Sequence, residues 1–318
     1  MKKILMVMLL FLIGAVPLRS QGSFKKVGTA GYVFLGIPVS ARTASLGEAG
    51  VAMEGLGADA LFTNPGSVGF EHGTHLVSFS YSPWIADTRH EAAAYVYNAS
   101  SAGVFGVSVD RLDMGEMTLT QNAVGTKIGM YDILGTFKAD GIAIGLTYGR
   151  ELTDRFSFGV TAKYVQERIW EYSSTNLVFD AGLLYYTGFQ SLRIGGVVKN
   201  FGVDGKYLQG TFKMPTDFRF GAAMDIIGAE GGSSKLTLAV EALHPTDNDE
   251  RINVGAEFWY QNMVALRGGY KFNYDEETWS AGLGIRWSGL GGPLGLDAAY
   301  SNLGRLGGHV RVTLGASF

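Results

Sequence analysis

Few side chains in this 318-residue sequence are spaced for chemistry, and each set has a plainer use. Glu241 and Glu257 fall on the same face of nearby alternating segments, so a carboxylate pair for acid–base catalysis is conceivable. More simply, those carboxylates are partners for Arg267 and Arg286 in a lumen charge network to which Arg219 also belongs. His72 and His75 flank Gly73-Thr74 without a carboxylate or Cys to complete a metal site. Asp247-Asn248-Asp249-Glu250 lacks the glycine and distant glutamate of a calcium loop. The run Gly289 to Gly295 lacks the Gly-Lys-Ser/Thr ending of a phosphate loop and leads into a strand, so it reads as a turn. No catalytic residue, metal or cofactor is expected.

The elements that must position these residues follow from composition and period. Hydrophobic residues make up 47% of the chain and charged ones 17%, which excludes a disordered protein. The net charge of −3 and the scattered basic residues exclude a nucleic-acid partner. With no Cys there is neither a disulfide framework nor a thiolate nucleophile. Met1-Lys2-Lys3, the apolar stretch Ile4 to Leu18 and small Ser20 read as a signal peptide, residues 1–20, cleaved after Ser20. That stretch is shorter than the ~20 residues a membrane-spanning helix needs.

From Thr74 onward, apolar and polar residues alternate with period two. Val310, Val312, Leu314, Ala316 and Phe318 oppose His309, Arg311, Thr313, Gly315 and Ser317, because successive strand side chains point to opposite faces. The same pattern predicts fourteen strands, near 74–83, 89–98, 102–111, 133–151, 155–168, 175–187, 191–199, 217–226, 235–243, 251–260, 262–271, 278–287, 293–300 and 308–318. Within the fourth, Ala139-Asp140-Gly141 is an alternative hairpin turn.

A soluble sandwich would turn the apolar face inward and a membrane barrel would turn it outward. The Gly/Ser/Thr-rich polar face with isolated charges suits a lumen. Aromatic residues at strand ends (Tyr81 and Trp84, Trp170 and Tyr172, Trp259 and Tyr260, Trp279 and Trp287) suit the two lipid–water interfaces. The terminal Phe318 suits a C-terminal signal for barrel assembly. The sequence therefore predicts an all-β protein, a transmembrane antiparallel β-barrel over 74–318 in the outer membrane of a Gram-negative bacterium.

Residues 28–70 do not alternate and are dominated by small residues, as in a segment that fills a lumen, so residues 21–73 read as an N-terminal extension and hatch. There Arg42 would need a carboxylate, which Glu48 or Asp59 could supply, and Asn64-Pro65-Gly66 marks a turn. The run from Phe34-Leu35 through Ala41-Arg42, Leu46-Gly47, Ala49 and Val51-Ala52 to Asn64-Pro65 resembles the N-terminal signature of the PorV/PorQ family of type IX secretion outer-membrane proteins. It is more distantly similar to the FadL family, fourteen-stranded barrels with an Asn-Pro-Ala hatch motif; Gly66 replaces that Ala as a mild departure. The first resemblance implies a non-enzymatic shuttle or anchor, with the type IX translocon and secreted proteins bearing C-terminal β signal domains as partners. The second implies a channel for a hydrophobic ligand gated by the hatch.

Overall fold

The computed structural model describes residues 27–122, 131–208, 210–228, 232–289 and 291–318. The expected signal peptide lies outside them.

Fourteen strands close into one antiparallel barrel, and a two-stranded hairpin stands beside it. In chain order they are β1 His75–Pro83, β2 Arg89–Asn98, β3 Val104–Asn122, β4 Tyr131–Thr153, β5 Phe156–Ile169, β6 Tyr172–Tyr186 and β7 Arg193–Gly202. The hairpin strands β8 Gly205–Tyr207 and β9 Gly210–Phe212 precede β10 Asp217–Ile227, β11 Lys235–Pro245, β12 Arg251–Tyr260, β13 Val264–Phe272, β14 Trp279–Gly289, β15 Gly292–Asn302 and β16 Gly308–Ser317. Every neighbour in the barrel is consecutive in sequence except where β7 meets β10 and where β1 meets β16. At that seam Val77 lies opposite Ala316 and Phe79 opposite Leu314, and Phe318 extends it by exchanging backbone hydrogen bonds with His75. Closure leaves no unpaired edge, which a sheet in hydrocarbon requires.

The alternation resolves into two surfaces. Phe79, Leu146, Val160, Phe220, Leu266, Leu283 and Leu314 are exposed on the outside, while their sequence neighbours Ser78, Thr147, Thr161, Arg267 and Thr313 are buried inside. Two aromatic girdles bound the apolar belt. Tyr97, Phe105, Tyr148, Tyr185, Tyr260 and Trp287 mark the end holding the seam's termini, and Tyr81, Trp170, Tyr172, Trp279 and Tyr300 mark the opposite end. Short turns at 99–103 and 261–263 close the first end; the tall β3–β4 hairpin and the 203–216 excursion rise from the second. By this asymmetry the first end faces the periplasm and the second the exterior.

Two expectations are corrected, and one alternative is removed in favour of the continuous fourth strand. The third strand runs to Asn122 rather than 111, because a bulge between Asp113 and Glu116 absorbs Met114-Gly115 and a second, opposite Leu119 and Thr120, absorbs Leu134 without ending the pairing. Ala139-Asp140-Gly141 is no turn; all three pair with β5, and Asp140 and Gly141 also pair with Asp113 and Leu112. Trp84 and Trp259 are not girdle residues. Trp259 shares the inward face with Glu257 two positions earlier and is 3% exposed, and Trp84 turns in against His309 with ring centroids 4.3 Å apart.

Inside the barrel lies the N-terminal segment, built of short turns: the 3-10 stretch Val33–Gly36, the helix Ala41–Ser45, the helix Ala60–Thr63 and the 3-10 stretch Pro65–Phe70. It starts at the exterior end, where Ala30 bridges Lys213, and descends to His75 at the periplasmic end. Its apolar residues, Leu46, Val51, Met53, Leu61 and Val68 among them, form a core with Leu76, Val96, Leu184 and Val197 of the wall.

Candidate functional site

The contact between this segment and the wall is the most built part of the molecule, and glycine makes it possible. Inward-facing Gly159, Gly182, Gly195, Gly255, Gly269 and Gly282 would each bring a Cβ within 3.0 Å of the segment at Pro65, Asn64, Val51, Leu46, Gly47 or Ser45. Gly66 mirrors this, since a Cβ there would strike the backbone of Leu183. The replacement of Ala by Gly at 66 is thus demanded by close approach rather than being a mild change of turn.

Polar contacts then pin the segment around the circumference. Arg42 donates from Nε and Nη2 to the two oxygens of Glu257, both at 2.7 Å, and Glu257 also accepts from Arg267 Nε at 2.6 Å. Arg267 Nη1 reaches Asp297 at 2.6 Å. Glu48 pairs with Lys271 and lies 3.5 Å from Arg219, which also holds Asp217 at 2.6 Å and Glu241 at 3.4 Å. Glu241 Oε2 accepts from the consecutive amides of Gly50 and Val51, at 2.9 and 2.8 Å. Glu54 meets Arg193 at 3.0 Å, Lys235 at 3.1 Å and the Tyr186 hydroxyl at 2.8 Å. Asn64 Nδ2 donates to Val51 O and Leu183 O, while its Oδ1 accepts from Gly66 N at 2.9 Å.

The segment's own acids divide by environment. Burial would raise Glu48, but the charges of Lys271 and Arg219 hold it down to about 2. Burial pulls Arg42 down, and the charge and hydrogen bonds of Glu257 more than reverse this. Glu71 accepts from Leu56 N at 2.8 Å and Gly57 N at 2.9 Å, yet burial dominates and pushes it up to about 7. Burial also raises Asp59, whose Oδ1 has no hydrogen-bond partner among the described residues.

The partners differ from those expected. Arg42 takes Glu257 from the wall rather than Glu48 or Asp59 of its own segment, because Glu48 is drawn to Lys271. Glu257 does pair with Arg267, but Glu241 pairs with Arg219, and Arg286 instead stacks on Trp259 and donates to Gly55 O at 3.3 Å. Sequence reasoning passed over Lys271 and Asp297, although Lys271 stands four residues beyond Arg267 on the same face of β13. It also passed over Glu54 and Glu71, which lie in an aperiodic stretch that no pattern places. Among the described residues no three His, Asp or Glu side chains gather as metal ligands. His75 stacks near Tyr95 and Tyr97, and Glu250 lies 3.2 Å from His244.

The segment divides the lumen into compartments. A cavity of about 250 Å³ at the exterior end is bordered by Leu35, Ile37, Pro38, Trp84, Lys199 and Tyr274. One of about 540 Å³ at the periplasmic end is bordered by Leu56, Phe70, Leu76, Trp259, Arg286 and Leu294. They share no lining residue, and the ring of ion pairs stands between them.

These features define a fourteen-stranded outer-membrane barrel with an occupied lumen. No family profile and no curated protein matches the chain. Solved structures do. The toluene transporter TbuX of Ralstonia pickettii superposes with a TM-score of 0.58 at 14% identity, over 88% of this chain and 96% of that one. The Pseudomonas putida toluene transporter TodX gives 0.56 at 11% over 92% and 98%, and a Pseudomonas aeruginosa FadL homologue gives 0.56 at 11% over 88% and 98%. The fold is FadL-like; the type IX resemblance finds no counterpart among these structures.

Proposed function

We propose that the protein is a non-enzymatic outer-membrane conduit for small hydrophobic molecules, with residues 21–73 acting as its hatch. The observation that carries this reading is a segment lodged across a closed barrel, with a cavity on each side and polar contacts to the wall that can be exchanged for water. Neighbours of the same fold named as toluene transporters and monoaromatic hydrocarbon channels support it. Among the described residues the ring of ion pairs interrupts any apolar path between the two cavities, so passage requires the hatch to shift. The test is uptake of radiolabelled toluene by intact cells with and without the protein. Faster uptake supports the conduit, and identical uptake overturns it.

The secretion shuttle is the second reading. It draws on the resemblance of residues 34–65 to the PorV/PorQ signature, on the closed lumen, and on Tyr131, Ile133 and Leu134, exposed on the exterior β3–β4 hairpin. Affinity purification from detergent-solubilised outer membranes decides between the two: a translocon barrel or proteins with C-terminal β signal domains favour the shuttle, and a lone barrel favours the conduit.

A further inference from the structure

The seam that closes the barrel also holds the hatch, through hydrogen bonds outside the ring of ion pairs. Arg311 of β16 donates from Nη1 to Val39 O of the hatch at 3.1 Å, and the same Nη1 lies 3.0 Å from Nδ1 of His90 on β2. The other ring nitrogen of His90, Nε2, lies 2.6 Å from Asp110 Oδ1 of β3. His90 and Arg311 are both fully buried. Around the same carbonyl, Ser80 Oγ donates to Val39 O at 2.6 Å and meets Thr313 Oγ1 at 3.0 Å, while Thr313 Oγ1 accepts from Ala41 N at 2.9 Å. Residues 39–41 thus hang on β1 and β16 without a carboxylate of their own.

This geometry fixes the hydrogens of His90. A guanidinium offers only N–H donors and keeps its proton, so the ring nitrogen beside Arg311 is the acceptor and the other carries the hydrogen that goes to Asp110. Turning the ring over exchanges the two nitrogens and leaves the same roles. A second proton on the imidazole would set N–H against N–H and cation against cation at 3.0 Å, with Asp110 as its countercharge on the far side. Among the described residues Arg311 forms no ion pair, and its Nε and Nη2 have no partner, so no other hydrogen bond keeps the guanidinium in place. The charged and titratable groups around the imidazole are few. β3 presents Asp110, and β16 presents Arg311 and His309, the latter packed against Trp84 with ring centroids 4.3 Å apart. β1 presents Ser82 opposite His90 and Ser80 beyond it. The next charges out are Glu48 of the hatch and Lys271 of β13, which pair with each other.

We propose that His90 is a proton-operated latch on the hatch: neutral, it holds Arg311 against Val39 O, and protonated, it drives Arg311 away and frees residues 39–41 from the seam. One Nη1 atom serves both acceptors, so the contact with the hatch is lost together with the contact to the ring. The latch deepens the conduit reading, on which it rests for what the movement does, by making acid a signal that loosens the hatch.

Hydrogen exchange at the Ala41 amide tests it, measured on the full-length protein in detergent at about pH 8 and about pH 5, an interval within which an imidazole changes charge. After correction for intrinsic rates, exchange at the lower pH should be at least about tenfold faster, the factor that loss of one hydrogen bond to a charged group corresponds to. His90→Gln, whose amide can accept from Arg311 and donate to Asp110 but takes up no proton, should abolish the difference. His309→Gln should leave it intact. Equal exchange at the two pH values in the unaltered protein, a difference that survives in His90→Gln, or its loss in His309→Gln overturns the latch. The two readings fail separately: an acid-responsive Ala41 without protein-dependent uptake of toluene leaves the latch and removes the conduit, and protein-dependent uptake with an unresponsive Ala41 does the reverse.

Discussion

Glu257 is a wall carboxylate that Arg42 of the hatch and Arg267 of the wall share, and its loss strands Arg42 while Arg267 keeps only Asp297. Both Arg42 and Arg267 are buried around it, so Glu257→Gln should weaken hatch docking by about 3–5 kcal/mol, the usual cost of breaking a buried pair from one side. The measurement is single-channel conductance in planar bilayers, where frequent openings are expected in the variant and a closed trace in the parent; a closed variant would refute the argument. Glu71 gives a second handle with a definite sign. Its carboxyl titrates at about 7 when docked and near the usual 4.5 when released, so the docked state binds the extra proton between those values. The contribution of Glu71 to docking is therefore complete below pH 4.5 and is lost as pH rises through 7. Exchange protection of the Leu56 and Gly57 amides, corrected for intrinsic rates, should fall from pH 5 to pH 8. In Glu71→Gln the fall should vanish.

At the scale of elements, the hatch depends on strands that leave room for it. In Gly269→Ala the new Cβ would collide with backbone at Leu46 and Gly47, which cannot move aside as a side-chain tip can. The barrel should still form, seen as retained heat-modifiable migration on gels, while a protease added to the purified protein should cut the hatch, which in the parent is protected. The strands themselves were legible because alternation survives any register, and so was the identity of the inward face. What alternation could not convey was pairing. Trp259 reads as an interface residue beside Tyr260 until its parity with Glu257 is enforced, and the extension of β3 to Asn122 is hidden because bulges break the period where pairing continues. The hatch was recognisable by its small residues and Asn64-Pro65, but its ion pairs join residues some two hundred positions apart, as Arg42 and Glu257 do, and only the barrel's register brings them together.

For the whole molecule, closure rests on the seam between β1 and β16, to which Phe318 adds backbone hydrogen bonds with His75 and Thr74. We propose that Phe318 is also the assembly signal. Its deletion should lower the fraction of folded barrel in outer-membrane fractions several-fold while protein refolded in detergent closes normally; equal assembly in cells would remove the signal role. The path of the N-terminal segment sets a limit on any opening. It is fastened at the exterior end, where Gly31 N donates to Lys213 O and the Tyr32 hydroxyl bonds to Ser174 at 2.6 Å, and it continues at the periplasmic end into β1 itself. A strap tethered at both mouths of a tube cannot be ejected like a cork. On the conduit reading, a strap that keeps both ties slackens to one side, so its opening is a crescent between strap and wall, far narrower than the bare barrel, and it shuts again without having to find its stopper.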